Sequence, residues 1–107
     1  MDEKQVGLEK FYQDFPKLSE FIKSKVDKEL SVSSYYCNSH KRNYYLILNN
    51  NPIGHLEVFL EEGKITSKKA LIDLKELNAS SYNNFITLEY DCLKSERLDK
   101  YNEIPFD

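Results

Sequence analysis

Cys37, His40, His55 and Cys92 are the side chains of this sequence with the widest chemical reach, two thiols and two imidazoles. That count suits a structural zinc ion. Structural zinc modules draw their ligands in close pairs, whereas here Cys-x2-His is followed by a lone His55 and a distant Cys92. The plainer reading is small hydrophobes in strands and solvent-facing histidines, with no metal or other cofactor expected. A Cys37 nucleophile with His40 as its base meets another obstacle, because a strand places residues three apart on opposite faces. Cys37, His40 and His55 are nevertheless the groups around which a small enzyme or ligand-binding site would have to be built.

Carboxylates are plentiful: Glu57, Glu61 and Glu62, or Glu89 and Asp91, supply the residue types for an acid and base pair. Such a pair works only when its two environments push the pKa values apart, normally by burying one member. These acids lie beside turns or on a mixed strand face, where solvation is expected. No G-x-S-x-G, Walker-type, G-x-G-x-x-G or H-E-x-x-H pattern occurs, and three isolated glycines cannot build a phosphate cradle. The expectation is a protein that is not an enzyme.

The elements that position these groups must come from a single domain spanning residues 1–107, since 107 residues hold one core. Apolar residues make up 40% and charged residues 31%, a globular balance. The opening MDEKQVGLEK has neither a basic n-region nor an apolar h-region, and no run is long and apolar enough to span a bilayer. Two cysteines are too few for a disulfide framework. A soluble, cytoplasmic protein with free thiols and no membrane partner is expected.

Apolar residues recur at Leu8, Phe11, Phe15, Leu18, Ile22, Val26 and Leu30 in steps of three and four, a helical period. Pro16 disfavours helical backbone at the residue before it. A kink or a pair of helices is expected near Asp14 and Phe15, with Asp14 as N-cap of the second. Strands are expected at residues 32–38, at YYLIL after the turn SHKRN, at HLEVFL after NNNPIG, and at FITLEYDCL. Leu56, Val58 and Leu60 alternate with His55, Glu57 and Phe59, so one strand face is apolar and the other mixed.

After a turn at Glu61, Glu62 and Gly63, Ser67 can cap a helix in which Ala70, Leu71, Leu74 and Leu77 share a face; a strand continuing from Lys64 is the alternative. A short helix over 94–102 completes the reading. The fold class is therefore α+β: a kinked helix or helix pair packed on a small antiparallel meander of about four strands, with one further helix before the last strand. Helix, three strands and helix is also the layout of double-stranded RNA-binding domains, and Lys68 and Lys69 stand where such domains carry basic residues. The extra C-terminal strand, the long N-terminal region and a net charge of −3 depart from that layout, and no nucleic-acid partner is expected.

Tyrosine exceeds expectation, with eight in the chain and pairs at Tyr35/Tyr36 and Tyr44/Tyr45. Adjacent rings in a strand point to opposite faces, so one of each pair joins Ile47, His55 and Phe59 on the less apolar side. Tyrosine suits interfaces because it offers contact area and a hydroxyl at little entropic cost. Charge is uneven too: residues 78–107 hold six acids against three bases. Tyr45, Glu89, Tyr90, Asp91, Glu96 and Asp99 are accordingly the candidate partner-binding residues. Together these features fit a small inhibitor of another protein, foremost an immunity protein that neutralises a bacterial toxin such as a basic nuclease, as in contact-dependent growth inhibition. A phage-encoded inhibitor of host defence has the same physical profile.

Overall fold

The computed structural model of the chain describes residues 3–25, 30–32, 36–48, 50–73 and 85–106, with the side chains of 3–7, 36 and 37 outside that set. Two helices come first, α1 over Glu3–Asp14 and α2 over Pro16–Lys25. They meet at Phe15, the residue that Pro16 restrains. The helical bonding still passes through the junction: Phe15 N–H donates to the Phe11 carbonyl at 2.9 Å and Ser19 N–H to the Phe15 carbonyl at 2.8 Å. The expected break is therefore a helix pair. Its periodic apolar positions Phe11, Phe15, Leu18 and Ile22 are all fully buried.

Among the described residues seven strand segments follow: β1 Leu30–Val32, β2 Tyr36–Cys37, β3 Lys41–Leu48, β4 Asn51–Glu61, β5 Lys64–Asp73, β6 Phe85–Asp91 and β7 Glu96–Arg97. They form one antiparallel sheet in the order β1-β3-β4-β5-β6-β7, with β2 also paired to β3. Leu30 sits opposite Leu48 and Tyr36 opposite Asn43, so β1 and β2 occupy one edge position at opposite ends of β3. The sheet is thus six positions wide, broader than the expected meander of about four strands, and the expected strand 32–38 divides between two short pieces. Residues 33–35, Tyr35 among them, lie outside the described set.

The expected helix from Ser67 is corrected by β5, which pairs with β4 and β6 as far as Asp73; residues 74–77 lie outside the described set. Two local features favour the strand. Glu62 and Gly63 both have positive φ, 51° and 79°, as the two-residue turn that matches strand twist requires. Ala70 and Ile72 are buried while Leu71 between them is exposed, a period of two. A register shift opposite Phe59 and Leu60 puts β5 in that phase. The RNA-binding layout falls with the helix.

The expected helix over 94–102 is likewise replaced by a turn, β7 and a further bend. A second register shift, between Leu46 and Ile47, leaves Ile53 as an extra residue on β4, turned into the core. Pro52 lies beyond the stretch of β4 with which the described residues of β5 pair.

Both helices and the C-terminal segment carrying Ile104 and Phe106 pack on one face of the sheet, against Val32, Tyr44, Leu46, Leu56, Val58, Ala70, Ile72, Ile86 and Leu88. Phe106 stacks on Phe15 with ring centroids 5.7 Å apart. The result is a two-layer slab measuring 38 × 37 × 18 Å. Among the described residues, no helix is long and apolar enough to cross a membrane.

Candidate functional site

Strand alternation sends every second residue of β3 to β6 away from the helices, and the cross-strand register fixes how those residues line up. One row across the sheet is Tyr45, His55, Leu71 and Thr87. The next is Asn43, Glu57, Lys69 and Glu89, followed by Lys41, Phe59, Ser67 and Asp91. Beyond the first row lie Ile47 and, paired across β5 and β6, Asp73 and Phe85. Tyr45 is 41% exposed, Leu71 41% and Phe85 48%. Among the described residues nothing is packed over these side chains, since every helix and the tail belong to the other face.

Two parts of this face differ in chemistry. The end carrying Tyr45, His55, Leu71 and Phe85 is largely apolar, and the Tyr45 and His55 rings stack with centroids 4.5 Å apart and planes 10° from parallel. His55 Nε2 lies 3.3 Å from Asn43 Oδ1. The other end is zwitterionic: Lys41 is ion-paired with Glu57 and reaches over the Phe59 ring, while Lys69 and Glu89 lie 3.8 Å apart in a looser, more exposed pair. Glu96 opposite Asp91, and Leu98 donating its N–H to the Glu89 carbonyl, extend the sheet through β7 and add an acid and a leucine at its margin.

The bend after β7 is locked from within. Arg97 donates from Nε and Nη2 to the two oxygens of Asp99 at 3.0 and 2.8 Å, and also to the carbonyls of Tyr101 and Ile104. Asp99 in turn accepts from the backbone N–H groups of Glu89 and Tyr101. Its side chain is only 4% exposed. Burial by itself raises the carboxyl, but the Arg97 guanidinium and the two backbone donors outweigh it and hold Asp99 below the ordinary value of 3.8.

Of the six residues expected to meet a partner, Tyr45, Glu89, Asp91 and Glu96 occupy the outward face or its β7 margin. Tyr90 is turned to the core side, where it packs against the buried cluster, and Asp99 is enclosed in the lock. Asp91 also accepts from the backbone of Leu93 and Lys94, closing the β6–β7 turn. Leu71, Lys69 and Phe85 are face residues that the sequence reading did not place there. For Leu71 and Lys69 the cause was the helical reading of β5; the alternation of Ala70, Leu71 and Ile72 is the signal that points to them.

The three thiol and imidazole groups whose side chains are described are dispersed. His40 lies in the β2–β3 turn, its carbonyl accepting from Leu60 N–H, His55 lies five residues back along β4, and Cys92 follows β6 with β5 intervening. The Cys37 side chain is outside the described set. The Asp14 carboxylate turns to the sheet, where both oxygens accept from Arg42 at 2.9 and 3.0 Å and one also accepts from the Tyr44 hydroxyl. Lys68 donates to the Asp14 carbonyl and sits over the Phe15 ring, so this lysine pins the helix junction to β5. A groove between α2 and the tail, lined by Lys17, Glu20, Phe21, Ser24 and Pro105, is open to solvent. Compared with known proteins, the chain matches no family profile, no curated protein and no solved structure.

Proposed function

We propose that the chain is a cytoplasmic protein-binding inhibitor, an immunity protein that neutralises a bacterial toxin of the nuclease type by covering part of its surface, without catalysis of its own. The observation that carries this reading is the outward sheet face, where Tyr45, Leu71 and Phe85 meet water beside ionised side chains. Apolar surface of this kind on a rigid sheet is what a protein partner removes from water. Glu89, Asp91 and Glu96 at the β6–β7 margin select for a basic partner and speed its approach. The Arg97–Asp99 lock supports the same reading, because it fixes the margin in advance and lowers the entropy lost on docking.

Co-expression tests the proposal. Cells producing the toxin encoded beside this chain's gene survive when the wild-type protein is present and die when it carries Leu71→Glu, a change at an exposed position that leaves the core untouched. Death of cells carrying the wild-type protein at full expression contradicts the reading.

A further inference from the structure

The pattern of charges on the outward face has a symmetry that the inhibitor reading does not require. We propose that the free chain pairs face to face with a second copy of itself through this sheet. Consider a two-fold axis parallel to the strands and running between β4 and β5. It keeps each row opposite the same row, and it sets β4 against β5 and β3 against β6 of the second copy.

In that arrangement Glu57 faces Lys69 of the second copy, twice by symmetry, and Lys41 faces Asp91. Asn43 offers its amide to Glu89. In the apolar rows, His55 faces Leu71, Tyr45 faces Thr87, and Ile47 lies toward Phe85. No acid meets an acid and no lysine meets a lysine. An arbitrary face carrying two lysines and four acids has no reason to satisfy that condition, and like charges brought together would oppose association.

Lys69 is free to respond, since its side chain is 47% exposed and its own pair with Glu89 is long at 3.8 Å. The dimension is adequate as well. Four strands about seven residues deep and about 4.8 Å apart, with the five residues of β1 and β2 and the two of β7 beside them, give roughly 550 Å² in plan per copy, or ~1,100 Å² in all, above the ~1,000 Å² that a specific interface needs. Two twisted sheets packed in this way make a sandwich whose strands align to within about 30°. The slab, with its helices on one side only, becomes a four-layer particle with helices outside.

Light scattering on the full chain across a concentration series is the test, with circular dichroism as the check on folding. The wild type is expected to reach about twice its 12.6 kDa mass by about 100 µM. Leu71→Glu is expected to remain monomeric with unchanged thermal unfolding. Glu57→Lys and Lys69→Glu are each expected to remain monomeric alone, because each sets like charges across the axis, and to form a dimer when mixed in equal amounts. That rescue occurs between chains and owes nothing to the stability of either. A wild type that stays monomeric at about 100 µM overturns the pairing and leaves the inhibitor reading intact, since that is read from toxin activity. A wild-type dimer that persists in Leu71→Glu, or charge variants that fail to associate when mixed, also overturns it.

Discussion

Burial raises the Asp99 carboxyl, but the bonds from Arg97 and from the backbone of Glu89 and Tyr101 win and leave it below its ordinary value. A carboxyl whose folded pKa lies beneath the unfolded one contributes stability that is complete above the unfolded value. That contribution is lost as pH falls through the folded value. The urea midpoint of the wild type should therefore drop on acidification below pH 3.8 more steeply than that of Asp99→Asn. At neutral pH Asp99→Ala should cost about 2–3 kcal/mol, because it leaves the Arg97 guanidinium half-buried without its carboxylate. Asp14→Ala should cost about 3 kcal/mol in the same measurement, since it strips Arg42 and Tyr44 of a shared acceptor inside the core. In sequence Asp14, Glu89, Asp91 and Asp99 are only acids. Which of them faces water depends on whether Arg42, Arg97 or a backbone N–H lies within reach, and that is decided by the register of strands distant in the chain.

At the scale of elements, the helix pair and the strands β3, β4 and β6 are legible because one period dominates each. Phe11, Phe15, Leu18 and Ile22 keep helical spacing, and Leu56 and Val58 alternate cleanly. Residues 64–73 carry both periods, and the turn decides between them. With two successive positive φ values at Glu62 and Gly63 the chain reverses tightly enough for Lys64 to pair with Glu61. Gly63→Ala should then cost about 1 kcal/mol, read as a lower urea midpoint, by straining the left-handed position. Gly54 is needed for a different reason. A Cβ there would lie 2.9 Å from Ile72 Cδ1 and 3.2 Å from the Leu71 carbonyl oxygen, so Gly54→Ala should cost about 1–2 kcal/mol by pushing β4 and β5 apart. Both sheet margins were harder to read, because β2 and β7 are two residues long and owe their form to their neighbours and not to any pattern of their own.

The described residues of the molecule form a slab with the helices on one side of the sheet and, on the other, a face over which none of them packs. The chain's length made a single domain expected and its apolar periods an α+β one, and the alternation within β3 and β4 made a mixed face expected; whether the described residues lay over that face depended on where residues 64–73 and 94–102 went. Both stretches joined the sheet plane or its edge, so the described helices all fell on the other side. The acids at β6 and β7 then became the margin of an aromatic and aliphatic surface. Their number was plain in the sequence, but their alignment with Lys41 and Lys69 required the register. The central claim is that this surface occupies another protein's surface and thereby silences it. The most direct measurement is a titration of the adjacent gene's purified product, the proposed toxin, with this protein while toxic activity is followed. Activity should fall linearly to zero at one chain per toxin, and Leu71→Glu should leave it unchanged over the same range. Full activity in the presence of excess wild-type protein would contradict the account.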